Sequence, residues 1–302
     1  MRENLATLSS DVQVDVLSPG IHVARVSGDL DLNTASDVRA CLERTLDTQG
    51  DLIVDLGGVD FLGSAGLSVL AETDARARRN QRRWALAGRH RAVLRPLRVA
   101  GLATSLPCTR MCRTHSMRSL PGSQRTVLRA VVCRPVCLVG RRWENVVVYP
   151  RQPESTGSAE HRVSGDLELA VRADPTHLSL VRSLANSLAV NQDFDLDMIA
   201  DFTLAMDEIC SVLIARSWPQ ARLVCRFDVG QDWVAVHASA PVTTTELPGP
   251  DSFDGKVLAA LTDATESWLD AQGKGIGRVD GEPHEDRPRA NVRFVKRKDA
   301  PP

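Results

Sequence analysis

The side chain best placed for chemistry is Ser64, in the stretch LIVDLGGVDFLGSAGLSVL from Leu52 to Leu70. Leu52, Ile53, Val54 and Leu56 form a β-branched-rich apolar run that ends at Gly57-Gly58, after which Leu67, Val69, Leu70 and Ala71 follow a helical pattern. This order predicts a strand, a tight loop and a helix with Ser64 at its N-terminus. There the free backbone N–H groups and the positive end of the helix dipole would stabilise a phosphate on the hydroxyl, or the hydroxyl would simply cap the helix. Spacing alone does not choose between the two. A second constellation is Cys108-x3-Cys112 and Cys133-x3-Cys137 with His115 between them. Paired thiolates can close a tetrahedral zinc site, but the usual knuckle is Cys-x2-Cys, so reduced thiols are the plainer reading and no metal is expected. Gly273-Lys274-Gly275-Ile276-Gly277 reads as a loop rather than a phosphate cradle, because glycine spacing by itself is weak evidence.

The elements that must position Ser64 are short and alternate in type. Val12–Leu17 and Ile21–Val26 read as strands joined by Ser18-Pro19-Gly20. Thr34 is the expected N-cap of a helix running to about Leu46, with Ala35, Val38, Leu42 and Leu46 on one face. Trp84–Ala87 is a short strand and Ala92–Val99 a short helix limited by Pro96. Residues 1–105 therefore form a small α/β domain with its site on strand-end loops. Residues 106–165 lose usable periodicity and read as an irregular Arg/Cys/Pro-rich linker, or as a stretch translated in a shifted frame.

Residues 166–299 form a second domain. Leu167–Val171 opens it, Asp174-Pro175 starts a helix carrying Leu178, Val181, Leu184, Ala185 and Leu188, and a second helix begins near Asp195. Strands are expected at Leu223–Val229 and Trp233–Ala238, a helix from Phe253 to Trp268, and a last strand near Val292–Lys296. The order αα, ββ, α, β predicts a two-layer α/β sandwich.

At 302 residues the chain is long enough for two cores. No apolar run approaches the ~20 residues that span a bilayer, and no signal-peptide core opens the chain, so a cytoplasmic protein without a membrane partner is expected and transport is excluded. The net charge of −1 hides an asymmetry: Arg76 to Arg151 is arginine-dense with Glu144 its only acid. Without interleaved aromatics or a recognisable motif, such a stretch reads as a solvated face, and nucleic acid is not expected as a partner.

FLGSAGL, preceded by GDLDLNTA and LIVDL, resembles the core signature of the STAS family of anti-sigma factor antagonists. In that family the loop commonly reads Asp-Ser-(Ser/Thr)-Gly-Leu and its serine is phosphorylated by an anti-sigma factor kinase. The resemblance makes Ser64 the phosphoacceptor and Phe61, Leu62, Gly63, Ala65, Gly66 and Leu67 the partner-binding loop, with Gly63 standing where the family has an acid. The second domain resembles the anti-sigma factor serine kinases of the histidine-kinase-like ATPase family, of the mycobacterial type, most specifically in LAMDEICSVLI. The resemblance makes Glu208 the candidate catalytic base, while Val212 stands where that family places its magnesium-binding Asn; read from its surroundings in sequence, Glu208 is an acid on a solvated helix face. Magnesium requires oxygen ligands, which valine cannot supply, and the Asp and glycines expected after VAVHASA are replaced by Ala240, Pro241 and a Thr-rich turn. ATP and magnesium are therefore doubtful cofactors and none is expected.

The function these resemblances imply is partner switching in sigma-factor-dependent transcription. The STAS half would bind an anti-sigma factor, the second half a sigma factor or a STAS protein, and the tethered halves could pair with each other. Binding rather than turnover is the expected output. The rival reading is an active protein-serine kinase that phosphorylates a STAS serine.

Overall fold

A computed structural model of the chain describes residues 11–107, 148–150, 167–270 and 287–298, except Pro19, Gln49, Arg89, Thr245 and Pro250. The four linker cysteines considered for zinc, His115 and the Gly273–Gly277 run lie outside the described residues. Among the described residues no cluster of His, Cys, Asp or Glu is arranged to hold a metal ion.

The first half is a four-stranded sheet in the order β1-β2-β3-β4, formed by Asp11–Ser18, Ile21–Leu30, Asp51–Leu62 and Trp84–Ala87. The hairpin β1–β2 is antiparallel, and β2–β3 and β3–β4 are parallel, as the crossovers through helices α1 (Ala35–Asp47) and α2 (Ser64–Arg79) require. Helix α3 (Arg91–Val99) follows β4. Alternate residues of β3, among them Leu52, Val54 and Leu56, are buried against Val38, Leu42 and Leu70 of the helices.

Two expectations change here. Strand β3 does not end at Gly57-Gly58 but continues to Leu62. Its partner β2 shifts register between Arg25 and Ser27 and again between Gly28 and Asp29, so the irregularity is absorbed as bulges and pairing resumes. Gly58 permits this, because a Cβ there would stand 3.0 Å from the Ser27 Cβ. Thr34 precedes α1 as expected but does not cap it: its hydroxyl donates to the Asp29 carbonyl at 2.7 Å and accepts from the Asp31 amide at 3.0 Å. That bonding fixes the end of β2 and the turn after it, which carry Asp29 and Asp31.

The second half is a six-stranded antiparallel sheet in the order β5-β6-β7-β8-β10-β9. Its strands are Val148–Pro150, Leu167–Arg172, Arg222–Val229, Trp233–Pro241, Ala264–Asp270 (β9) and Arg289–Arg297 (β10). Strand β5 falls inside the segment expected to be pure linker and pairs with β6. Helices α4 (Leu178–Asn191), α5 (Leu196–Ile214) and α6 (Phe253–Leu261) complete the two-layer α/β sandwich, with α5 packed on β7, β8 and β10. The Asp195 carboxylate caps α5 by accepting from the amides of Asp197 and Met198.

The helix expected from Phe253 to Trp268 is half strand. Helix α6 stops at Leu261, Thr262 turns extended, and Ala264–Asp270 becomes the edge strand β9 on β10. The apolar face serves only the first part, where Val257, Leu258 and Leu261 are buried, whereas β9 is largely exposed and satisfies its backbone in the ladder.

Close packing around α2 leads to a stability prediction. A Cβ on Gly66 would stand 2.7 Å from the Leu30 side chain, the Leu30 carbonyl oxygen and Leu62. Gly66→Ala should therefore lower the stability of the first half by about 1–3 kcal/mol through overpacking. A urea titration followed by circular dichroism checks this, and an unchanged midpoint would refute it.

Candidate functional site

Strand β3 delivers Phe61 and Leu62 to the end of the first sheet, where the chain turns directly into α2. The Gly63 amide donates to the Leu30 carbonyl at 3.0 Å, and the Gly63 carbonyl accepts from the Leu67 amide at 3.0 Å. Gly63, not Ser64, is thus the cap residue, and Ser64 is the first helical residue with no side-chain capping bond. Its hydroxyl points away from its own helix end, and the residue is buried at 8% exposure.

Across the contact from Ser64 stands the second half. Ser64 faces Glu208 on α5, closely enough to oppose the rise of the Glu208 pKa, although neither Glu208 carboxyl oxygen has a protein partner at hydrogen-bond geometry. Glu208 is 0% exposed, which corrects the expectation of a solvated acid. Burial pushes its pKa up to about 8, with the charges of Asp254 and Asp207 adding to the rise, so it is a neutral acid at pH 7. Ser211, one turn along the helix, also has a buried hydroxyl without a protein partner.

Beside this pair lies a charge cluster centred on Arg182 of α4. Its guanidinium pairs with Asp207 of its own half at 2.6 Å, and with Asp29 and Asp31 of the first half at 2.5 and 2.8 Å. Arg182, Asp31 and Asp207 are almost completely buried. Burial works against the arginine's charge, but the three carboxylates outweigh it and raise its pKa. Burial also dominates at Asp207, whose pKa rises to about 6 although Arg182 pulls it down. The guanidinium lies over the Phe61 ring, 4.3 Å from its centroid.

The contact extends along α3 and α5. Arg95 forms a two-pronged pair with the buried Asp201 at 2.7 and 2.8 Å, and Arg91 pairs with Asp197. Lys296 of β10 lies 3.6 Å from Asp201. Leu32, Phe61, Val99 and Ala100 of the first half pack against the core of the second. Apolar contact is thus ringed by arginine–carboxylate pairs, with Ser64 and Gly63 inside.

A cavity of about 510 Å³ opens further along α5, lined among others by Val212, Leu247, Asp254, Asp263, Glu266 and Val292. The cavity wall carries Val212 where the kinase resemblance implies a magnesium-binding Asn, and its lining offers no cation to a free nucleotide among the described residues. Val212 offers no side-chain oxygen, the lining carries three carboxylates, and no lysine or arginine lines it among the described residues. A triphosphate there would meet like charge.

Comparison with known proteins follows the same division. The STAS domain family matches residues 14–116. The anti-sigma-F factor antagonist RsfB of Mycobacterium tuberculosis is 32% identical over 84 residues, covering 28% of this chain and 68% of the relative. The chain belongs, through its first half, to the STAS-domain anti-sigma factor antagonists. The other region is similar to the anti-sigma-F factor RsbW of Mycobacterium tuberculosis, 38% identical over 106 residues, 35% of this chain; the chain spans 63% of that relative's length. Among solved structures, an anti-sigma factor antagonist from Mycobacterium paratuberculosis is 31% identical, covering 34% of this chain and 87% of that one with a TM-score of 0.32. No helix among the described residues is long and apolar enough to cross a membrane.

The structure brings Phe61, Gly63, Ser64 and Glu208 together, while Leu62, Gly66 and Leu67 are buried within the first half, as structural support for the loop. Sequence reasoning missed Arg182, Asp29, Asp31, Asp201 and Asp207 as a unit. The signal was present: Arg182 falls on the buried face of α4 with Leu178, Val181 and Ala185, a charged residue at a core position.

The raised pKa values give a pH prediction. A carboxyl that holds its proton more tightly when folded favours the folded state most below its unfolded pKa, and the advantage is lost as pH rises to the folded value. For Glu208 that window runs from 4.5 to about 8, and for Asp207 from 3.8 to about 6. The wild-type melting temperature should therefore fall between pH 5.5 and 8, and Glu208→Gln should flatten the slope by a few kcal/mol in all, at about 1.4 kcal/mol per pKa unit. Parallel wild-type and variant slopes in differential scanning calorimetry would contradict it.

Proposed function

We propose that the protein is a partner-switching regulator of sigma-factor-dependent transcription in which the STAS half sits in cis on the anti-sigma-like half, and that its output is binding rather than phosphate transfer. The observation that carries this is the shared guanidinium of Arg182, which joins Asp207 of one half to Asp29 and Asp31 of the other inside a buried contact. In this reading the second half grips either its own STAS half or a sigma factor, and release of the STAS half frees the surface. A separate anti-sigma factor would compete for the same STAS loop.

Ser64 is the natural point of release. A phosphate adds about −1.5 to −2 charge, here on a buried hydroxyl that faces Glu208 across the contact. Ser64→Ala should keep the halves together, whereas Ser64→Glu should separate them and raise capture of a sigma factor by the full-length chain. The check is a pull-down with purified sigma factors, read against small-angle scattering of each variant; equal compactness and equal capture by both variants would refute the switch.

The rival reading, phosphorylation of Ser64 in cis, draws on the same geometry, since the serine faces the candidate base. Three features weigh against it: burial raises the pKa of Glu208 to about 8, Val212 offers no side-chain oxygen, and the cavity offers a free triphosphate only like charge. Full-length protein incubated with radiolabelled Mg-ATP should leave Ser64 unlabelled, and Val212→Asn alone should not change that. Label on Ser64 would restore the kinase reading.

A further inference from the structure

The backbone at Gly63 does not need glycine. Its φ of −84° and ψ of 178° are ordinary extended values that any residue adopts. Within the first half, the nearest atom a Cβ would meet is Phe61 Cε1 at 3.2 Å. What forbids a side chain is the other half, because an ideal Cβ would stand 2.5 Å from Asp207 Oδ2, inside contact distance.

Neither neighbour is free to give way. Asp207 is 1% exposed, its Oδ1 accepts from Arg182 at 2.6 Å, and Oδ2, without a hydrogen-bond partner, is directed at Gly63. Phe61 lies under the same guanidinium. Behind Asp207, helix α5 is seated in the core through Met206, Ile209 and Cys210, all 0% exposed, so the helix does not step back.

We infer that Gly63 is the specificity-determining position of the interface between the halves: the anti-sigma-like half accepts this STAS half because position 63 has no side chain, and it excludes a STAS surface bearing one there, above all a carboxylate. A carboxylate would add a second buried negative group against Asp207, already crowded by Asp29 and Asp31 around a single guanidinium. The inference rests on the docked arrangement proposed above and adds what selects the partner.

The test uses the full-length chain and amide hydrogen exchange read by mass spectrometry at residues 61–68 and 204–214. Gly63→Ala should speed exchange on both faces about tenfold, and Gly63→Asp more, because overpacking opens the contact. Amides of β2 and β3 around Ala24 and Val54 should keep wild-type protection, which separates opening from unfolding of the STAS half. In an Asp207→Ala background, Gly63→Ala should add nothing, since the clashing oxygens are gone. Wild-type protection in Gly63→Asp, an alanine effect independent of Asp207, or loss of protection at Ala24 and Val54 would each overturn the inference. Wild-type protein already unprotected on both faces would instead overturn the docked arrangement itself, and this inference with it.

Discussion

The structure depends on one buried positive charge. Arg182 is the residue through which the two halves share carboxylates, and each partner is held at its position by that half's own architecture. Asp29, at the end of β2, and Asp31, in the turn after it, are held by the Thr34 hydroxyl, and Asp207 lies on a helix whose surroundings are core. An ion cluster taken out of water gains little net stability, because desolvation cancels most of the Coulomb attraction. What it gains is register: a placement that moved Arg182 away would leave three clustered carboxylates without their cation, which disfavours other arrangements of the halves. The apolar residues Leu32, Phe61, Val99 and Ala100 supply contact area, and the charges decide where that area may sit.

The same cluster explains the neighbouring acids. Arg182 is spread over three carboxylates, and its pull does not keep Asp207 at an ordinary pKa, while Glu208, one residue further on, has no cation of comparable proximity and is held neutral by burial. Ser64 and Glu208 face each other across the contact, and both are buried there. The closed contact gathers three carboxylates around one guanidinium, at the cost of buried oxygens without hydrogen-bond partners. Those unmatched groups keep the closed state from being deeply stable, as a switch requires.

Much of this was legible from residue patterns, and the gaps have physical causes. The alternation of strands and helices and the start of a helix near Asp195 follow local rules, and the observed elements agree with them. Strand β3 was cut short because Gly57-Gly58 is punctuation by any local criterion; the bulged register with β2 that carries the strand onward is a property of the pair. Strand β9 was read as helix because Ala264–Trp268 continues a helical spacing, and only the edge of β10 decides otherwise. Glu208 was given two readings, a solvated acid or a catalytic base, and neither includes a neutral buried acid, because no local pattern reveals that another half of the chain will cover it.

Ser64 shows the same limit from the other side. Local reasoning offered a capping hydroxyl or a phosphate site at a helix N-terminus, and both assume that the helix uses its own first side chain. The Gly63 carbonyl begins the helix instead, which leaves the hydroxyl to face Glu208. Gly63 is therefore read twice, once by its own helix through its carbonyl and once by the opposing half through its missing Cβ. A residue that satisfies two partners with nothing but backbone leaves no trace in hydrophobic periodicity; what marked Gly63 in sequence was only that it stands where the resembled family has an acid.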